Sequence, residues 1–227
     1  KININKNITQ ENIVDELNKK FENSLRNLKL KRIDGLFLHD CSLLNTSLRE
    51  GIINWFKSIK LNRSVKAIGV SIYDPSDLDL IPLNEFNLIQ VPLSLYDQRF
   101  LENGTLTYLI SKGISIHIRS IFMQGLILQP VRHWPNFLSE EFKIHHQKIF
   151  SQLDEQPINM LRTTLDFITS LPQIDAALIG VSRINDLVEI INLWNDDYIS
   201  ENVGCEKYSK FAWLFQNDID PRLWPKK

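Results

Sequence analysis

Five short apolar runs, set between longer stretches of helical period, constrain the fold of this chain more than any other feature. The runs are IDGLFLH from Ile33, VKAIGVS from Val65, NLIQVPL from Asn87, ISIHIRS from Ile114 and DAALIGVS from Asp175. Around them apolar residues recur every three or four positions, as at Ile13, Leu17, Phe21, Leu25 and Leu28, or Leu48, Ile52, Trp55, Phe56 and Ile59. The same period returns at Ile158, Leu161, Leu165 and Ile168, and at Ile184, Leu187, Val188, Ile191 and Trp194. Strands alternating with helices predict a parallel βαβ protein, because parallel neighbours need a crossover and that crossover is usually a helix. Boundary residues agree: Thr9 is a predicted N-cap, Pro157 suits a first helical turn, and Gly113 and Pro172 mark helix ends.

Composition narrows the function classes. The 227 residues are 43% apolar and hold no repeat, low-complexity tract or linker, so residues 1–227 are expected to form one domain. With 26 Lys and Arg against 27 Asp and Glu the formal net charge is -1, which favours neither nucleic acid nor an anionic membrane as partner. No segment approaches the roughly 18 apolar residues of a membrane span. Cys41 and Cys205 lie far apart and outside any zinc spacing, and read as reduced thiols of a cytoplasmic protein. His133, His145 and His146 have no carboxylate at ligand spacing, so no metal is expected. The expected partner is a small molecule, and oligomeric state is open.

Each run ends in polar or small residues: His39 and Asp40; Ser71; Gln90 followed by Ser94; Arg119 and Ser120; Gly180 and Ser182. In a (β/α)₈ barrel all strand C-termini open onto one face, so these groups would converge on a single pocket. A histidine just past an apolar strand is either a satisfied structural group or, as neutral imidazole, a donor that orients a carbonyl and favours a developing alkoxide. Gln129 to Glu141, QPVRHWPNFLSEE, is too long for an ordinary connection and reads as a functional loop or lid. Trp134 and Phe137 would either close over substrate or cover the rim.

The segments SLRNLKLKRIDGLFLHD, VKAIGVSIYD, LIQVPLSLYDQR, GISIHIRSIFMQGLIL and AALIGVSRINDL resemble, in order and at compatible spacing, the aldo/keto reductase family from its fourth strand to its last helix. That resemblance implies a (β/α)₈ TIM barrel that uses NADP(H) to pass hydride between nicotinamide and a small carbonyl or sugar-like substrate. Asp, Tyr, Lys and His surround the reacting oxygen in the family, and His39 matches the histidine. The family's Asp and Tyr follow its second strand and its Lys ends the third. The resemblance therefore implies that the first strands, roughly 90 residues of a barrel of about 250, precede Lys1, and it leaves Lys1 unassigned. Five strands alone would leave Leu36 or Phe37, Ile68 or Val70, and Ile116 or Ile118 without an opposing wall.

The remaining roles follow from the same resemblance. Ser71 and Gln90 would hold the nicotinamide carboxamide, although strand-end capping explains them equally, and Ile72 stands where the family has Asn. In RSIFMQG, Arg119, Ser120, Ile121, Met123 and Gly125 would wrap the pyrophosphate, unless the segment is an ordinary strand exit. Gly180, Ser182, Arg183 and Asp186 would meet the adenosine end; Arg183 either pairs with a 2′-phosphate at a helix start or is a solvated charge. Asp40, Tyr73 and Trp134 would line the substrate. Ile72, with Ile190 in place of another family Asn, favours a second reading: a non-catalytic binding or regulatory subunit of the same fold. A flavodoxin-like open sheet would also use five parallel strands, but HDCSLLN contains no glycine for a phosphate loop.

Overall fold

The computed structural model describes residues 1–171, 173–195 and 204–225; the helix stop expected at Pro172 lies outside them. Five strands, β1 (Ile33–Leu38), β2 (Val65–Ser71), β3 (Leu88–Pro92), β4 (Ser115–Arg119) and β5 (Ala176–Ala177), form one sheet in sequence order. β1 pairs with β2 and β2 with β3 in parallel, placing Phe37 opposite Gly69 and Ser71 opposite Gln90. Between β3 and β4 the bonds join start to start and end to end. Ser115 N–H donates to Asn87 O and Leu93 N–H to Arg119 O, both at 3.0 Å, as parallel neighbours require. The helices are α1 (Ile13–Leu28), α2 (Arg49–Leu61), α3 (Arg99–Glu102), α4 (Thr105–Ser111), α5 (Glu140–Gln152), α6 (Pro157–Thr169), α7 (Ile184–Trp194) and α8 (Gln216–Ile219). The result is an α/β fold on a parallel sheet whose staves succeed one another as in a barrel. Among the described residues the sheet has five strands, not the eight that close a barrel.

Two expected boundaries move. The N-cap position of α1 is Asn12, not Thr9, and its side chain makes no capping bond; instead its Nδ2 donates to the Thr9 hydroxyl at 2.9 Å and shapes the turn before the helix. β5 covers two residues of the run DAALIGVS, because it is an edge strand and Gly180 weakens extended pairing just beyond it. Pro157 opens α6 as expected, and Gly113, at φ 67°, ends α4 in the left-handed conformation that glycine adopts without strain.

The chain gathers into two compact units, residues 1–91 with 103–117 and residues 92–102 with 118–227. In the first, the buried stripe of α1 meets that of α2. Trp55 lies edge-on to Phe21 at 5.8 Å and to Phe56 at 5.2 Å, and its Nε1–H donates to Asn18 Oδ1 at 2.7 Å. Arg49 Nη1 donates to Leu44 O at 2.8 Å and Leu80 O at 3.0 Å, tying together the loops that follow β1 and β2. Ile2 forms a parallel bridge to Leu38; its N–H donates to Phe37 O and its carbonyl accepts from His39 N–H, both at 2.8 Å.

The expectation that the inner-face residues lack a wall is corrected. Leu36, Phe37, Ile68, Val70, Ile116 and Ile118 are all buried. Ile2 and Ile4, themselves buried, add cover beyond β1, and the His117 ring packs 5.5 Å from Phe37. Exposed apolar side chains gather instead at Leu178, Ile179 and Val181 and along α7 at Ile184, Val188 and Trp194.

The second unit packs α5 and α6 around Tyr96, Phe142, Phe150 and Phe167, all buried. Asp218, also buried, accepts from Ser139 N–H at 2.9 Å, Ser139 Oγ–H at 2.6 Å and Trp213 Nε1–H at 3.0 Å, fixing the N-cap of α5. No helix among the described residues is long and apolar enough to cross a membrane.

Candidate functional site

In the first unit, the C-terminal ends of β1, β2 and β3 bring four expected residues and one unexpected one together. His39, half-buried, directly follows β1, and its ring lies 6.4 Å from that of Tyr73. Tyr73 is held by Asp77, whose Oδ2 accepts the N–H of Tyr73 at 2.8 Å and of Asp74 at 3.0 Å. Ser71 ends β2, fully buried, and its Oγ accepts from Lys1 Nζ at 3.0 Å. Gln90 stands opposite Ser71 in β3, and its carbonyl accepts Ile72 N–H at 2.9 Å. The Gln90 side chain is 1% exposed, and neither its Nε2 nor its Oε1 meets a hydrogen-bond partner among the described residues.

Lys1 is the residue that sequence reasoning left aside, for want of a strand before it. The signal is in KINI: Ile2 and Ile4 alternate as buried positions, and the Ile2 bridge sets Lys1 beside the end of β1. A protein ammonium, an imidazole and an unsatisfied carboxamide thus occupy neighbouring strand ends. The first two suit an oxygen that gains negative charge, and the third suits an amide.

In the second unit a cavity of about 740 Å³ opens between the exit of β4 and the start of α7. Of the expected cofactor residues, Ser120, Ile121, Gly125, Gly180, Ser182, Arg183 and Asp186 line it. The segment on its β4 side has unusual backbone: Ser120, Gln124 and Gly125, which line the cavity, and Met123 between them have φ of 63°, 57°, 85° and 46° respectively. Three of these are not glycine, and non-glycine residues held there are strained positions that recur at ligand sites. Arg183 is committed within the cavity mouth. Its Nη2 meets Asp186 Oδ1 at 2.9 Å and its Nε meets Oδ2 at 3.3 Å, which offsets the positive charge expected to meet a phosphate.

The sequence matches the aldo/keto reductase family over residues 1–204. The chain belongs to that family. No curated protein matches it. Among solved structures, the apo form of an aldo-keto reductase from Bacillus halodurans is 16% identical, with 91% of this chain and 72% of that one covered at a TM-score of 0.69. Its holo form is 18% identical at a TM-score of 0.70, covering 91% and 71%. An aldo/keto reductase from Klebsiella pneumoniae in complex with NADP and acetate is 16% identical, covering 86% and 63%, at a TM-score of 0.59. At these identities the likeness is one of fold.

Several positions that the aldo/keto reductase resemblance singles out make contacts within the protein or lie off the cavity wall. Asp40 caps the turn after β1: its Oδ1 accepts Ser42 N–H at 3.0 Å and Oγ–H at 2.7 Å, and Oδ2 pairs with Lys6 at 2.9 Å. Burial pushes its carboxyl up, yet Ser42 and Lys6 outweigh that and hold it below the ordinary value. Met123 turns inward, 3% exposed, and does not line the cavity. Arg119 is half-buried at the end of β4, where its Nη1 donates to Ser120 Oγ at 3.2 Å, outside the cavity wall. Trp134 is buried too deeply for a substrate lid; its Nε1–H donates to Leu126 O at 2.9 Å and Gln129 O at 3.1 Å. Phe137 is exposed and packs 5.5 Å from Trp224. Gln124 and Gln129, which the sequence reading passed over, line the cavity instead. Among the described residues no group of His, Cys, Asp and Glu is set to hold a metal ion.

Proposed function

We propose that this aldo/keto reductase is an NADP(H)-dependent oxidoreductase acting on a small carbonyl or sugar-like substrate, with residues 1–227 as one domain and the five strands as staves of a (β/α)₈ barrel. The observation that carries the reading is the buried, unpartnered carboxamide of Gln90. Leaving such a group unsatisfied costs about 1–3 kcal/mol. A second carboxamide relieves both atoms at once, N–H to C=O in each direction, and nicotinamide carries that group. NADP(H), when bound, supplies or accepts the hydride. In the first unit, Gln90 and Ser71 would orient a nicotinamide. In the second, taken by itself, Ser120, the backbone near Gly125 and Ser182 would hold phosphates, and Arg183, once released by Asp186, would meet a 2′-phosphate. Tyr73 would border the substrate. His39 would donate to the substrate carbonyl and Lys1 would favour the alkoxide electrostatically, taking the family lysine's place. The Klebsiella pneumoniae relatives in complex with NADP and with NADPH support this choice of cofactor.

A second reading, a non-catalytic binding subunit, is favoured by the Arg183–Asp186 pair and by Ile190 in the cavity wall, which both withdraw polar contacts from an adenosine. Titrating NADPH against intrinsic fluorescence, then assaying NADPH oxidation with short aldehydes and ketones, separates the two. Quenching at micromolar cofactor with turnover supports the oxidoreductase. Quenching with no turnover by any carbonyl supports the subunit, and silence at millimolar NADPH overturns the cofactor reading itself.

A further inference from the structure

The segment Met123–Gln129, left-handed at the non-glycine residues Met123 and Gln124, needs an anchor outside itself, since such residues persist only where their surroundings over-determine them. Two side chains meet at one carbonyl. Gln129 O accepts from Trp134 Nε1–H at 3.1 Å and bonds His146 Nε2 at 2.9 Å. A backbone carbonyl only accepts, so the proton of His146 sits on Nε2, and Nδ1 is left to accept the Tyr96 hydroxyl at 2.6 Å. Tyr96 and His146 are fully buried, and the imidazole lies 4.4 Å from the Trp134 ring and 5.4 Å from Phe150. With water excluded, nothing replaces this donor if it is lost. The same Gln129, with Gly125 and Leu128, lines the cavity.

We propose that His146, its tautomer set by Tyr96, is a positioning residue that clamps the Gln129 carbonyl and thereby holds the cavity wall in its cofactor-binding shape. This rests on the reading of the cavity as an NADP(H) site. His146→Leu removes the donor, whereas His146→Gln keeps an N–H where Nε2 stands. Amide hydrogen exchange of the 123–134 segment in the ligand-free protein tests the clamp itself, and NADPH affinity tests its use. His146→Leu is expected to speed exchange there at least tenfold and to weaken NADPH about tenfold with kcat within twofold, while His146→Gln stays within threefold of the parent in both. Unchanged exchange in His146→Leu, or a His146→Gln as loose as His146→Leu, overturns the clamp. Faster exchange with unaltered NADPH affinity overturns its role in binding. A parent protein that does not bind NADPH overturns the cofactor reading and with it this use of the clamp, while exchange still judges the clamp. Where His146→Leu fails to fold, Tyr96→Phe, which removes only the hydroxyl that sets the tautomer, must show the same two changes at smaller size.

Discussion

The strand-end cluster of the first unit and the cavity of the second are built in opposite ways. Ser71 and Gln90 sit on strands, and their register is set by close backbone packing. A β-carbon on Gly69 would run into the Leu88 carbonyl and come within 2.8 Å of Leu88 Cβ. Ser120, Gln124 and Gly125 sit on a loop where a β-carbon on Gly125 would meet nothing within 4 Å, and conformation rather than space is the constraint. Strand placement therefore tolerates no added volume. Loop placement tolerates volume but depends on anchors such as Trp134 and His146.

The sharpest way to break this contrast is a pair of identical substitutions. Gly69→Ala is expected to cost about 3 kcal/mol or more, because backbone must move, and to lower the melting temperature accordingly. Gly125→Ala is expected to cost only about 1–2 kcal/mol, the price of a left-handed alanine. Equal losses in chemical denaturation would erase the distinction.

Acidification probes the second unit's anchor. Burial lowers the His146 imidazole from 6.5 to about 4. Below about pH 6.5 the unfolded chain binds that proton and the folded one does not, so this contribution to stability is intact above pH 6.5 and falls as pH drops towards 4. The loss is about 3 kcal/mol at about 1.4 kcal/mol per unit. Urea midpoints of the parent across this range, compared with those of His146→Gln, isolate it; parallel curves would remove His146 as the source. The smallest effect is at the cavity mouth. Asp186→Ala, by releasing Arg183, is expected to tighten NADPH about threefold while leaving NADH unchanged, the scale of one exposed ion pair. An equal change for both cofactors would detach Arg183 from the 2′-phosphate.

The same contrast explains what was legible beforehand. β1 to β4 and the helices α1, α2, α6 and α7 follow from apolar period, because burial selects one face of each element, whereas the strand order follows from the barrel that the resemblance implies. The placing of His39, Ser71 and Gln90 at neighbouring strand ends is readable in sequence because a strand end announces itself as an apolar run turning polar. In sequence, Trp134 and Met123 read as ligand contacts because nothing local tells an exposed loop aromatic or methionine from a buried one. Gln129 and His146 carry no local signal at all, since their meeting depends on where α5 packs. Lys1 was readable from the alternation of Ile2 and Ile4, but two apolar residues are too short a run to announce a strand.

Gln90 tests the proposed cofactor reading most directly, because its carboxamide is unpaired within the described residues and would meet that of nicotinamide. Gln90→Met keeps the volume and removes both polar atoms. NADPH affinity by fluorescence quenching, measured together with unfolding free energy, gives two signs at once: the variant is expected to be more stable by about 1 kcal/mol, because an unsatisfied buried amide is gone, yet to bind NADPH at least tenfold more weakly. A Gln90→Met protein that loses stability while binding NADPH as tightly as the parent would contradict the account.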